Sequence, residues 1–337
     1  VAQAQESDVR ISVLDTSPVV AGSTAREALQ HTLDLAVLAD DLGYHRYWTA
    51  EHHGMAGVAS AAPAVVAGRL AAATHRLRVG SGGVLLPHHA PIVVAEQFGT
   101  LTAFHPGRID LGVGRAPGGS SRAADAVRPE SERTATDFPG RLEELLGYLD
   151  GTQPVRAIPA DGNTPAVWLL GSTTTSAQLA AARGLPYAFA RHLNPGDAAA
   201  ALHRYRTEFR PGRIPAPASL VSVAVIAAET DEHAEWLAGP TRLKILQRLR
   251  GGSIRLPPPG EAAKYPWTDE ERAEIAVRSR GLVVGSPATV REQLQAVLDE
   301  TGTGELMITT RVFDHADRRA SYELVSSVAK GLTARPG

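Results

Sequence analysis

Residues 46–54 read RYWTAEHHG. Arg46 to Ala50, with two aromatic residues and a β-branched one, reads as a short buried strand, and Glu51, His52 and His53 fall together at its C-terminal end. Three titratable side chains at the mouth of a buried strand mark a candidate site. Neighbours on an extended chain point to opposite faces, so the trio does not read as a metal centre, whose ligands usually sit at i, i+2 or i, i+4.

Working outward from this stretch, the same strand-then-helix unit recurs. On the N-terminal side, Val9 to Leu14 alternates apolar and polar residues and stops at Asp15, Ser17 and Pro18. A helix over Arg26–Leu42 is expected next, with Leu29, Leu33, Ala36, Val37 and Asp40 on its inner face and Gly43 ending it. On the C-terminal side, an alanine-rich helix spans roughly 61–74 with Pro63 near its start, and its small side chains allow close approach of another helix. Strands are then predicted at Leu77–Leu86, Arg108–Val113, Pro165–Leu170, Tyr187–Ala190, Leu220–Ala227 and Leu306–Thr310. Helices alternate with them at Ile92–Phe104, Pro139–Leu149, 176–183, 195–209, 230–250, Val290–Leu298 and 317–332.

Eight strands, each followed by a helix and without a second core, are the pattern of one closed (β/α)8 TIM barrel over residues 1–337. An open doubly wound sheet is disfavoured, because residues 13–19 read VLDTSPV and offer no Gly-x-Gly-x-x-Gly after the first strand. The active site of a barrel lies where its strands end, the place that Glu51, His52 and His53 occupy in this reading. Two stretches interrupt the alternation. Residues 117–138 are polar and rich in breakers, and read as a long loop with room for a short turn of helix; residues 251–285, with consecutive prolines at 257–259 and a charged run at 268–280, read as an insertion before the last helix and strand.

The totals narrow the class of function. With a formal net charge of −2 there is no basic field for nucleic acid, and no apolar run of bilayer length is present. The chain has no cysteine, which removes disulfides, thiolate nucleophiles and cysteine-based metal sites and fits a cytoplasmic protein. The N-terminal VAQAQESDVR lacks the pattern of a secretion signal. Abundant Ala, Arg, Gly and Pro point to a GC-rich bacterial genome, and hence to tailoring chemistry of secondary metabolism.

Three further features sit at predicted strand ends. Gly80, Gly82 and Gly83 interrupt the third strand and mark a bulge, a strained peptide or a flat ligand against the backbone. The run Gly171 to Ser176, GSTTTS, precedes a helix, so its hydroxyls and free amides serve either as an N-cap or as a seat for an anion such as phosphate. Arg115, in the loop at the C-terminal end of the fourth strand, offers a planar fork suited to phosphate or carboxylate, or to a surface ion pair. Together they imply a phosphorylated cofactor across the barrel mouth.

At this point the chain resembles the bacterial luciferase-like flavin-dependent monooxygenases. The resemblance rests on ISVLD at 11–15, LGYHRYWTAEHHG at 42–54, VGSGGVLLPHHAP at 79–91, EQFGTL at 96–101, PGRIDLGVGRAPG at 106–118, LGS at 170–172 and VVGSP at 283–287, and is strongest to the single-chain branch with the GRAPG motif. It implies an FMNH2-dependent monooxygenase that inserts one oxygen atom from O2 into an organic substrate through a flavin C4a-peroxide. It also implies a transient NAD(P)H-dependent flavin reductase as partner, and, with the small-residue helix 61–74, a homodimer. Carried over residue by residue, His52 matches the histidine supporting the flavin peroxide, with Glu51 holding it or acting as its proton partner and His53 lining the rim. Gly82 and Gly83 match the site of an unusual cis peptide beneath the flavin ring. Arg115 with Ser172, Thr173 and Ser176 matches the phosphate site, and residues 251–285 match the family's mobile lid. No metal is implied.

Three departures bear on the carry-over. Gly114 replaces a reactive cysteine of the light-emitting enzymes, Ser172 replaces a flavin-contacting glutamate, and Arg191 falls near an aromatic pocket position, which argues against a long-chain aldehyde. Two alternatives share the pattern: an F420-dependent hydride-transfer oxidoreductase, and a catalytically inactive flavin-binding relative.

Overall fold

The computed structural model describes residues 7–115, 119–134, 136–252 and 254–334. Its centre is a closed barrel of eight parallel strands: β1 (Arg10–Asp15), β2 (Arg46–Thr49), β3 (Arg78–Leu85), β4 (Ile109–Gly114), β5 (Ala166–Gly171), β6 (Tyr187–Phe189), β7 (Ser219–Ala227) and β8 (Glu305–Thr309). Closure is made by β8, which pairs with β7 on one side and β1 on the other. Ser7–Asp8 and Thr333–Ala334 form a separate antiparallel pair.

The period of two along each strand sorts the core into two layers. Val13, Tyr47, Val79, Leu111, Leu169, Val221 and Ile308 point outward and pack with the surrounding helices. Leu14, Trp48, Trp168, Ala188, Leu220 and Met307 fill the interior, where the two indoles meet edge to face at 5.5 Å. Below them, at the N-terminal end, Arg46 donates to Glu305 at 2.6 Å and Asp110 at 2.7 Å and lies over the Trp168 ring at 4.7 Å. All four side chains are nearly or wholly buried, so this end of the barrel is plugged and the C-terminal end alone is left for chemistry.

Several expectations shift in detail. In the first helix, Ala25–Asp41, the buried face is Ala28, Thr32, Leu35, Ala36, Ala39 and Asp40, while Leu29 and Val37 are 37% and 39% exposed. Small residues bring the helix close to the strands, and Asp40 is drawn inward because its carboxylate accepts from the amides of His75, Arg76 and Leu77 at the approach to β3. The alanine-rich helix is shorter, Pro63–Ala71, and at Gly68 a Cβ would lie 3.1 Å from Leu101 of the helix Pro91–Phe104, so part of its small-residue face is used within the fold. The stretch expected as a long loop with at most a short helical turn contains two helices, Ser121–Val127 and Glu130–Arg133, the first capped by Ser120.

The segment expected as a lid is not all insertion. Its last four residues, Leu282–Gly285, form a strand beside Ala224–Ala227, where β8 has parted from β7. The remainder carries the helices Pro259–Ala262 and Asp269–Arg278 and is strapped across one side of the mouth: Ala21 N donates to Leu256 O at 2.9 Å, and Arg255 donates to Ala56 O and Ser23 O at 3.1 and 3.0 Å. No described helix is long and apolar enough to cross a membrane.

Candidate active site

The β2 stretch continues its alternation past the end of the strand. Arg46 and Trp48 face the interior, Tyr47 and Thr49 the outer layer, and the same phase turns His52 inward and Glu51 away. His52 is fixed through its backbone, which donates to Ser60 O at 3.0 Å, and its buried Nδ1 has no hydrogen-bond partner. Burial, followed by the positive fields of Arg311 and Arg248, lowers its pKa to about 4 against a weaker opposing pull from Glu51. The ring is therefore neutral at physiological pH and can accept or donate a proton.

Glu51 has different partners from those expected. Its carboxylate makes no hydrogen bond to His52; Oε1 lies 2.8 Å from His53 Nε2 and 2.8 Å from His89 Nε2, and Oε2 accepts from Leu85 N at 2.8 Å. The group is 1% exposed. Burial would raise its pKa, but the hydrogen bonds and charge of His89, the bond from His53 and the Leu85 amide outweigh that and lower it. An ionised carboxylate only accepts, so both histidines carry hydrogen on Nε2. His53 also meets the ring of His88 edge-on at 5.7 Å. Glu51 thus ties the loop after β2 to the end of β3, and His53 belongs to this cluster rather than lying loose on the rim.

The glycines of β3 form a wall without side chains. The Gly82–Gly83 peptide is cis, and the register against β4 shifts between Gly82 and Val84, so the bulge and the irregular peptide anticipated for this strand coincide. A Cβ at Gly82 would lie 2.6 Å from Leu14 Cδ1; one at Gly83 would lie 2.7 Å from Gly112 O. At Gly114 the nearest neighbour of a Cβ among the described residues is Leu170 at 3.9 Å, so no described atom crowds that position.

Arg115 follows β4, and the register Val113↔Leu169 sets it level with Gly171 at the end of β5. It is exposed and pairs with no carboxylate among the described residues, so the ion-pair alternative for it does not apply there. The GSTTTS turn is a true cap. Thr173 accepts from Ser176 N at 3.4 Å, while Ser176 Oγ donates to Thr173 O at 2.7 Å and lies 2.8 Å from Tyr187 Oη. Two of the hydroxyls expected at a phosphate are therefore already engaged, leaving Ser172 and the first-turn amides of the helix Thr174–Ala182 to face the rim.

On the remaining side, Arg191 pairs with Glu300 at 3.4 Å, while its buried Nε has no hydrogen-bond partner. His192 is the residue turned inward, its Nδ1 2.6 Å from Ser222 Oγ, and burial and then Arg311 lower its pKa to about 3. His89, His192 and Arg311 are absent from the sequence-based site. The doublet His88–His89 just beyond a strand carried a usable signal, the same one that marked His52; Arg311 could have been found by carrying the inward phase of Glu305, Met307 and Thr309 two residues further. Among the described residues no group of three or more acidic, histidine or cysteine side chains is placed to hold a metal ion.

Residues 9–305 match the family described as luciferase-like monooxygenase. The chain is 44% identical over 331 residues to the luciferase-like monooxygenase of Escherichia coli K12, covering 97% of this chain and 99% of that one. It is 35% identical over 328 residues to the N-acetyl-S-alkylcysteine monooxygenase of Bacillus subtilis, covering 94% and 97%. Among solved structures, apo-MsnO8 matches with a TM-score of 0.89 at 41% identity, covering 95% of this chain and 98% of that one.

Proposed function

The chain belongs to the luciferase-like monooxygenase family, and from that membership we propose that it is an FMNH2-dependent monooxygenase transferring one oxygen atom from O2 to a small organic substrate, with reduced flavin supplied by a separate NAD(P)H-dependent reductase. The observation that carries the reading is a half-buried imidazole at His52, held neutral by a pKa of about 4, at the end of β2, beside which the paired strand β3 carries the side-chain-free Gly82–Gly83 stretch. The Bacillus subtilis relative, named for oxygenation of an N-acetyl-S-alkylcysteine, supports a small organic substrate. A composition rich in Ala, Arg and Gly supports a bacterial tailoring role.

The residues present fit a flavin phosphate: Arg115 is free of ion pairs among the described residues and stands level with a capped helix start. When bound, FMN would supply the electrons that activate O2. Arg115, Ser172 and the amides following Thr173 would bind the phosphate, and Ser176 would support them through the cap. The wall at Gly82 and Gly83 would let a flat ring lie against backbone. His52 would hold or move a proton at Nδ1, and Glu51 would position His53 and His89 rather than His52. Residues 254–281, already anchored to the loops after β1 and β2, would exclude water as a lid. Val65 and Val93, 74% and 42% exposed on two helices in contact, support a homodimer through that face.

The deciding experiment is oxygen uptake with reduced FMN and a substrate panel. Oxygen-dependent product formation is expected; turnover with deazaflavin F420 under nitrogen, and none with FMNH2 in air, would overturn the proposal.

A further inference from the structure

Across the mouth from Arg115, the barrel rim carries cations without counter-ions. Arg311 lies two residues past the inward-facing Thr309 of β8, and Lys244 and Arg248 are one turn apart on the helix Asp231–Leu249 that follows β7. Lys244 Nζ reaches the loop beyond His53, where a Cβ on Gly57 would lie 2.8 Å from it and 3.7 Å from Ile254 O of the lid segment. Arg311 is close enough to His52, His192 and Lys244 to act on all three, and Arg248 acts on Arg311, Lys244 and His52. Three cations, Lys244, Arg248 and Arg311, therefore converge from the β7 and β8 sides on two imidazoles, His52 and His192, that burial keeps neutral.

Carboxylates are withheld from them. Among the described residues, none lies within ion-pair distance of Lys244, Arg248 or Arg311. On the same helix Arg242 is paired with Glu235, and just past its end Arg250 is paired with Glu271. Asp15, an acidic group whose field reaches Arg311, is committed to Arg318 at 2.6 Å, Tyr47 at 2.6 Å and Thr32 at 2.7 Å. Burial and then the two arginines lower the Lys244 pKa to about 8, the signature of an ammonium group without a compensating anion. Crowding like charges in a half-buried place opposes folding, and an arriving anion relieves the repulsion while gaining charge-assisted hydrogen bonds.

We infer that Lys244, Arg248 and Arg311 bind an anionic group of the organic substrate, a carboxylate or sulfonate, on the β7–β8 side of the mouth. The rest of the substrate then reaches toward His52 and the glycine wall. This rests on the oxygenase reading only in calling the ligand a substrate; the anion site stands on the geometry. It is separate from Arg115 and the turn after β5, so the cofactor phosphate and the substrate anion occupy opposite sides.

The test is calorimetric titration of the full chain, saturated with FMN, with hexanoate, hexane-1-sulfonate and hexanamide. At least one of the two anions is expected to bind roughly tenfold or more tightly than the neutral amide, and the tighter of them identifies the class. The preference should collapse to near unity in Arg311→Met and fall several-fold in Lys244→Met, with FMN affinity retained. Arg248→Gln, at an exposed position that folding tolerates, should also lower it and keeps the test decisive if an inner variant does not fold. Equal or undetectable binding of all three probes overturns the inference, as does a preference that survives in Arg248→Gln and every inner variant that folds. Loss of FMN rather than of hexanoate in Arg311→Met would reassign the cluster to the cofactor phosphate. None of these readouts needs turnover, so a protein that shows the preference but never oxygenates keeps this site and loses only the proposed function.

Discussion

The carboxylate of Glu51 lies 2.8 Å from Nε2 of His89, a residue 38 positions further along the chain, and through that contact the loop after β2 is fastened to the loop after β3. The same oxygen serves His53, and the other oxygen caps the Leu85 amide. His52, the inward neighbour, is thereby held in place without touching the carboxylate.

Glu51→Gln keeps the shape but loses the negative charge shared by two imidazoles. A loss of about 1–3 kcal/mol in stability is expected, together with a fall in turnover larger than any change in FMN affinity. Because the folded-state pKa of Glu51 is lowered, its contribution is present above the ordinary carboxylate range and lost as pH falls through the folded value. Urea midpoints measured on the acid side should therefore fall more steeply for the native protein than for the variant; parallel curves would show that the carboxylate is not stabilised in the fold.

His52 carries a pH signature of opposite origin. Its folded pKa is depressed from 6.5 to about 4, so the unfolded chain binds the extra proton between those values. Stability should rise with pH across that window, by up to about 1.4 kcal/mol per pH unit for one such group, and level off above it. His52→Asn should flatten part of this slope, the remainder coming from His192 and from His45, His105 and His315, whose folded pKa values are lowered as well. The same variant should lower oxygenation by about a hundredfold or more, as expected for loss of a proton-transfer group; full activity in His52→Asn would remove it from the chemistry.

Arg115→Ala should weaken FMN by about 1–3 kcal/mol while leaving riboflavin nearly unaffected, because only the phosphate is lost from the comparison. Fluorescence titration with both flavins checks this, and equal weakening would place Arg115 away from the phosphate.

Two glycines on the same wall should respond differently to one methyl group. Gly83→Ala drives a Cβ to within 2.7 Å of Gly112 O, and a cost of about 1–3 kcal/mol is expected from overpacking. Among the described residues Gly114→Ala meets nothing nearer than Leu170 at 3.9 Å, so its stability should stay within about 0.5 kcal/mol of native. Thermal melts of the two variants decide it, and similar losses would contradict the open geometry at Gly114.

Val65→Lys places a charge on the exposed helix face assigned to the dimer. A shift from dimer to monomer in sedimentation at micromolar concentration is expected, with the barrel's circular dichroism unchanged. A native protein that already sediments as a monomer rules the assembly out.

The positions and order of the eight barrel strands were determined by sequence alone, because each depends on a short-range pattern: β-branched and aromatic runs, a period of two, and breakers at fixed offsets. His52 is legible on the same terms, being six residues in phase with Arg46 on one alternating stretch. Helix faces are less so. Leu29 and Val37 fit a helical period as well as Ala28 and Thr32 do, and only packing against β1 and β2 selects the smaller pair. What tertiary structure decided is partnership. The hydrogen bond from His89 to Glu51, the bidentate grip of Arg46 on Glu305 across 259 positions, and the arrival of Arg311 opposite His52 are set by barrel closure, which brings side chains together with no regard for their distance along the chain. Charge balance follows the same rule: whether Arg115 or Lys244 is left without a counter-ion depends on which carboxylates the fold has already used elsewhere.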